Sequence, residues 1–309
     1  MRAPVAAMNT KTVYVIAGPT AVGKTAMAIR LAQYFHTSII SADSRQCYKE
    51  MNIGTAKPSE DELQSVKHYF LDTFSVTEHI TAADFERLSL QYLEEIFRKN
   101  DTAVVCGGTG LYIKALCEGL DDMPATDAKI EEQIYKEYQE KGMPWLQEAV
   151  ENEDPRFFEE KEHQNPARLL RALVFKRSTG KSILNYRSGE KKKRNFNVIK
   201  IVLGLPREQL YERIDRRVDA MMQQGLLEEV KRLYPYRHLK NLQTVGYSEL
   251  FDYLDGHSSQ EHAVDKIKQH TRNYAKRQMT WFKRETKALF LDANDETILQ
   301  QIIHFQAQT

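Results

Sequence analysis

Apolar residues fall along this chain in two rhythms. Thr12–Ala17 (TVYVIA), Ser38–Ala42, Thr102–Cys106 (TAVVC), Asn197–Leu203 (NVIKIVL) and Ala288–Asp292 (ALFLD) are short runs, mostly rich in β-branched residues. Such runs read as strands buried on both faces. Gly18-Pro19 ends the first and Gly107-Gly108 the third. Three-four spacing takes over at Thr25–Phe35, and again at Ile130–Lys141, Trp145–Glu151 and Pro166–Ser178, which predicts helices. Between about residue 122 and residue 197 no strand pattern occurs. Strands alternating with helices predict an α/β fold with a parallel sheet, interrupted by a mostly helical insertion. The expected division is a discontinuous core, 1–122 and 198–309, with residues 123–197 inserted.

Composition narrows this only slightly. The longest apolar runs, Val13–Gly18 and Ala103–Cys106, are far too short to cross a bilayer, so no membrane association is expected. Met1–Thr10 has one arginine and no apolar stretch of the kind a secretory leader needs. Three cysteines (Cys47, Cys106, Cys117) form no Cys-x-x-Cys pair, which suits reduced thiols and a cytoplasmic protein. The net charge of +1 predicts no partner, but its distribution does. Residues 127–162 carry 12 acids and 5 bases, whereas 163–197 carry 10 bases and one acid, and 266–287 carry 8 bases and one acid. Two basic segments in a near-neutral chain fit either a polyanion-binding face or two solvated helix faces.

The sharpest motif is Gly18-Pro19-Thr20-Ala21-Val22-Gly23-Lys24-Thr25, a complete G-x-x-x-x-G-K-[ST] between a strand and a helix. This is a P-loop, and the core becomes a P-loop NTPase-like sheet. The glycines let successive N–H groups surround phosphate oxygens, and the helix N-terminus adds positive potential. Lys24 supplies a point charge, and the Thr25 hydroxyl suits magnesium (Mg2+). A nucleotide-hydrolysing enzyme also needs a metal-holding acid, normally ending a neighbouring strand. Thr102–Cys106 instead runs into Gly107-Gly108-Thr109-Gly110. The acid stands after the second strand, at Asp43. It could hold metal, cap a turn or act as a general base.

These residues carry a resemblance to the bacterial tRNA dimethylallyltransferases, also called tRNA isopentenyltransferases. The matching segments are GPTAVGKT (18–25), ISADSRQCYKEMNIGTAKP (40–58), HYFLD (68–72), ADF (83–85) and VCGGTGLYIKAL (105–116). QNPARLLRAL (164–173), RIDRRVDAMMQQGLLEEV (213–230), TVGYSE (244–249) and RNYAKRQMTW (272–281) continue in family order. The chain departs from the family pattern at Cys47 and Glu50.

The resemblance implies transfer of a dimethylallyl group from dimethylallyl diphosphate to N6 of adenosine 37 in the tRNA anticodon stem-loop, with release of diphosphate. It implies that residues 18–25 hold the diphosphate, with Mg2+ on Thr25, and that Arg217 adds a second cation. Read from spacing alone, Arg217 fits better as an ion pair with its helical neighbours. Asp43 matches the family's general base and Thr109 the residue that orients the same amine. For tRNA the matching positions are Asp43, Ser44, Arg45, Gln46, Thr109, Gln164, Asn165, Pro166, Ala167 and Arg168, with Arg272, Lys276 and Arg277 on the C-terminal helix. The insertion becomes a tRNA-binding domain. Trp281 reads as core, and the Lys191–Arg194 run as a solvated loop. Three other readings share some of these features: a nucleoside or nucleotide kinase, a prenyltransferase acting on free adenine nucleotides, and a pure RNA-binding module.

Overall fold

In the computed structural model, residues 11–160 and 163–308 are described. The leader question at Met1–Thr10 lies outside them. Six parallel strands form one sheet: β1 (Thr12–Ala17), β2 (Ile39–Ser41), β3 (His68–Tyr69), β4 (Thr102–Gly107), β5 (Asn197–Gly204) and β6 (Leu289–Asp292). Their order is β3-β2-β4-β1-β5-β6. Along β1, Val13, Val15 and Ala17 enter one hydrophobic cluster while Tyr14 and Ile16 enter another. Side chains alternate across a strand, so an apolar run without polar breaks buries both faces at once.

Twelve α-helices occur among the described residues. They are α1 (Lys24–Tyr34), α2 (Glu60–Ser65), α3 (Ala82–Phe97), α4 (Gly110–Glu118), α5 (Ala128–Glu153), α6 (Pro155–Phe158), α7 (Pro166–Thr179), α8 (Arg207–Gln223), α9 (Leu226–Leu233), α10 (Ser248–Leu254), α11 (Gln260–Phe282) and α12 (Ile298–Gln308). The chain divides into two compact units: residues 1–118 with 193–309, and residues 119–192. The first contains the whole sheet.

The second unit has its own core, in which Ile134, Leu146, Val150, Phe157, Leu169, Leu173 and Phe175 are buried. The two helical stretches expected at 130–141 and 145–151 both lie in α5, but Gly142 breaks its helical geometry with φ 74°. The following Pro144 cannot donate a backbone hydrogen bond, so the kink falls where the sequence separates the two stretches. Helix α7 starts on Asn165, whose side chain accepts from the Arg168 N–H, and on Pro166 at its first turn. Residues 164–168 are exposed. Part of the basic charge in this unit is already matched: Arg177 makes hydrogen bonds of 2.7–3.1 Å to Glu153.

One expectation fails at the edge of the first unit. Arg194 is not part of a solvated loop. Its guanidinium donates to Glu86 at 2.7 Å and to the Ala115 and Leu116 carbonyls at the end of α4, and its side chain is 11% exposed. A run of four basic residues looks uniformly wet in sequence, but helix C-termini attract cations, and here one is taken in.

Candidate active site

Parallel strands present their C-terminal tips on one edge, where α/β proteins gather ligands. The central β1 delivers the loop 18–23, which passes into α1. Ala21 and Gly23 take positive φ (65° and 103°), the loop conformation that turns backbone N–H groups inward. Beside it lie the tips of β2, with Ala42 and Asp43, and of β4, with Gly107, Gly108 and Thr109. The Thr109 N–H donates to the Ala42 carbonyl at 3.2 Å. A Cβ on Gly107 would sit 2.2 Å from that same oxygen, so only glycine permits the approach.

Lys24 donates to the Pro19 carbonyl at 2.7 Å. Its stem is partly exposed, but its ammonium is enclosed by the loop, and burial pulls it down to about 8 against the pull of Cys106 and Asp43. Arg217 adds a second positive charge near it. The ion-pair reading of Arg217 does not hold among the described residues. Asp215 pairs with Arg272 at 2.6 Å, Asp219 with Lys268 at 2.7 Å, and Arg216 with Glu212. Arg217 keeps no carboxylate, and burial lowers it from the ordinary guanidinium range.

Asp43 shapes the next turn. Its Oδ1 accepts from the Arg45 N–H at 2.8 Å and the Gln46 N–H at 3.3 Å. Among the described residues its second oxygen has no partner. Ser44 donates its N–H to Thr109 Oγ1 at 3.1 Å, joining the two strand tips. Arg45 Nε is buried with no hydrogen-bond partner.

A cavity of about 130 Å³ opens among these groups. Thr20, Asp43, Arg45, Arg217, Thr271 and Tyr274 give it polar lining. Val218, Met221, Val245 and Ile267 add apolar lining, with Thr55 and Thr244 also at its wall. Tyr274 is pushed up to about 12 by burial and by the neighbouring Asp43, so its hydroxyl stays protonated across the physiological range.

Two residues here were not singled out from sequence. Gln278 on α11 accepts from the Thr20 N–H at 2.9 Å and donates to the Gly108 carbonyl at 2.9 Å, locking the P-loop to the tip of β4. Glu229 on α9, 2% exposed, accepts the N–H groups of Asn52, Ile53 and Gly54 at 2.8–3.0 Å and the Tyr247 hydroxyl at 2.7 Å. The usable signal for Gln278 was spacing: Ile267, Thr271, Tyr274 and Gln278 form one stripe at three-four intervals on α11.

Of the other expected residues on this helix, Lys276 and Arg277 are exposed, whereas Arg272 is engaged by Asp215. Trp281 packs against the core and beneath Gly110, where a Cβ would lie 2.2 Å from its indole nitrogen. Gln164 to Arg168 belong to the separate helical unit, each exposed.

A phosphate loop, two unpaired cations and a carboxylate around a half-apolar cavity define a P-loop enzyme that holds a phosphorylated substrate with an apolar part. The family model for IPP transferase matches residues 46–285. The chain is 43% identical over 298 residues to tRNA dimethylallyltransferase 1 of Bacteroides thetaiotaomicron, covering 96% of this chain and 97% of that one. It is 42% identical to tRNA dimethylallyltransferase of Cytophaga hutchinsonii over 96% of its own length and 98% of the relative's. Among solved structures, the tRNA isopentenylpyrophosphate transferase of Bacillus halodurans superposes with a TM-score of 0.69 at 33% identity, covering 96% of this chain and 95% of that one. A eukaryotic dimethylallyltransferase captured acting on tRNA gives 0.78 at 27% identity, over 96% of this chain and 78% of that one. This chain belongs to the IPP transferase family.

Proposed function

We propose that this protein transfers the dimethylallyl group of dimethylallyl diphosphate to N6 of adenosine 37 in tRNA and releases diphosphate. The observation that carries the proposal is the cavity that brings Thr20 of the P-loop, Asp43 and Arg217 together with the apolar side chains of Val218, Met221, Val245 and Ile267. The loop N–H groups, Lys24 and Arg217 hold the diphosphate, and the five-carbon group lies along those apolar side chains. Bond making joins N6 to the donor's first carbon while that carbon's bond to oxygen breaks and the electron pair leaves on the diphosphate. Lys24, Arg217 and the loop dipoles stabilise the charge that develops there.

The unpartnered oxygen of Asp43 takes the N6 proton. Its other oxygen is fixed by two backbone N–H groups, which sets the direction in which the free one points. Thr109 and Tyr274 flank the acceptor amine. Magnesium would sit on the Thr25 hydroxyl and the diphosphate itself. No group of three His, Cys, Asp or Glu side chains gathers among the described residues, and a site with one hydroxyl fits a cation that keeps most of its water and takes phosphate oxygens. When bound it would add positive charge against the leaving group.

For tRNA, the exposed Gln164–Arg168 segment serves on the helical unit, and Ser44–Gln46 with Lys276 and Arg277 serve on the core unit. RNA loops are gripped by such basic and polar groups while the target base is splayed out.

The test is to offer radiolabelled dimethylallyl diphosphate with tRNA or with AMP. Label is expected in tRNA, at the adenosine beside the anticodon. Label in AMP instead would make the protein a nucleotide prenyltransferase, and phosphate transfer from ATP to a nucleoside would make it a kinase.

A further inference from the structure

We infer that Met221 and Ile267 together set the length of the prenyl group, closing the cavity after five carbons. The inference rests on the proposed function and extends it to the donor's specificity.

Helices α8 and α11 form two sides of the cavity, and their register is fixed by two ion pairs. Asp215 meets Arg272 at 2.6 Å and Asp219 meets Lys268 at 2.7 Å. Four residues forward on one helix correspond to four residues back on the other, so the helices run antiparallel. Arg217 is then within one residue of the level of Thr271, and Met221 within one residue of that of Ile267. All four line the cavity.

The two levels are one turn apart, about 6 Å at 1.5 Å per residue. The upper level belongs to phosphate, because Arg217 lies within electrostatic reach of Lys24. Tyr274, near Asp43 and Thr109, stands above Thr271 on the same helix. The lower level is apolar, with Val218 between the two and Val245 on the facing loop. A donor anchored by its diphosphate at the upper level reaches the lower one with its branched methyls. One turn of helix accommodates the four-carbon main chain of a dimethylallyl group and not the eight-carbon main chain of a geranyl group.

Ile267 is 2% exposed and cannot swing aside without disturbing the core. Met221 is partly exposed and unbranched, so it is the softer half of the stop.

The experiment compares dimethylallyl and geranyl diphosphate as donors to tRNA, in the full chain and in Met221→Ala/Ile267→Ala. The two substitutions remove six heavy atoms, against five additional carbons in geranyl. The wild-type chain should prefer dimethylallyl diphosphate by at least a hundredfold in kcat/KM, since even one misplaced methylene costs roughly 10–200-fold. In the double variant that preference should shrink about a hundredfold. Should the double variant fail to fold, Met221→Ala alone is used, where the preference should shrink by about tenfold. A wild-type chain that uses both donors equally, or a folded variant with an unchanged preference, overturns the inference. Absence of dimethylallyl transfer by the wild-type chain overturns instead the function on which it rests.

Discussion

Replacing Glu229 tests whether the wall of the cavity is held from outside the site. The carboxylate accepts four hydrogen bonds, three from the consecutive N–H groups of Asn52, Ile53 and Gly54 and one from Tyr247. The segment it grips continues into Thr55 and Ala56, whose carbonyls each accept from Gln46 Nε2 at 3.1 Å, and Gln46 in turn donates its N–H to Asp43. Glu229 therefore reaches Asp43 through one loop and one side chain.

Glutamine at this position keeps the shape but offers one oxygen in place of two. Its amide would confront two donors with a donor. Each buried group left unpaired costs about 1–3 kcal/mol, so Glu229→Gln should lose about 2–4 kcal/mol of stability and Glu229→Ala more. Tyr247 gives no relief by ionising, because burial and the adjacent Glu229 charge raise its hydroxyl far above the physiological range.

The assay is urea unfolding of the wild type and Glu229→Gln, followed by transfer kinetics on the folded variant. If the loop positions Asp43, kcat should fall while the affinity for tRNA measured in the absence of donor stays within about twofold. Restoration by Glu229→Asp is expected to be partial, since the shorter side chain still carries two oxygens. A Glu229→Gln protein within 0.5 kcal/mol of wild type in urea, with unchanged kcat, would refute both the energetic and the positioning argument.

Three further outcomes are expected. Asp43→Asn keeps the oxygen that accepts from Arg45 and Gln46, so the fold should hold while single-turnover rate drops roughly 10²–10⁴-fold; rescue by excess magnesium would reassign Asp43 to the metal. Lys24 has its amine pulled down to about 8, and the charged form is the one that binds diphosphate, so donor affinity should be level near pH 7 and fall as pH rises through 8, by up to tenfold per unit, while Lys24→Arg flattens the profile. Equilibrium binding of a non-reactive donor analogue reads this directly, and a level wild-type profile to pH 9.5 would show that Lys24 does not carry the charge. Substituting Arg168 and Arg171 together should lower the slope of log affinity for tRNA against log salt by about one to two units; an unchanged slope would place those arginines off the RNA.

The core was readable because its signals are local. A strand buried on both faces needs an apolar run, and a phosphate loop needs glycines at fixed offsets, so β1, β4 and β5 and residues 18–25 follow from sequence with almost no displacement. What escaped is defined by partners far along the chain. β3 has two residues, His68 and Tyr69, too few for any period to show. Glu229 occurs in Leu-Leu-Glu-Glu-Val, where one acid among helical neighbours looks like surface; its burial depends on a loop 175–177 residues away. Arg194 looked solvated for the same reason, its acceptors lying on α3 and α4. Arg217 reversed the pattern. Its neighbours promised ion pairs, but each found another partner and left it the cation of the site.

The position of the acid explains how a P-loop serves alkyl rather than phosphoryl transfer. In β4 the tip carries Cys106, whose thiol burial pushes up to about 12, so it stays neutral beside Lys24. The carboxylate stands instead on β2, the next strand over, and spends one oxygen on its own turn. An acid at the end of β4 would face the P-loop hydroxyl and serve metal and phosphate, whereas Asp43 lines the cavity proposed for the donor's carbon. The phosphate grip is kept whole, with loop, Lys24 and Arg217, because a leaving diphosphate needs the same charge stabilisation as a transferred phosphoryl group. In the proposed reaction what changes is the direction in which the substrate is presented: the diphosphate would stay in the loop while the group that moves would point along α8 and α11 past the one carboxylate oxygen left free.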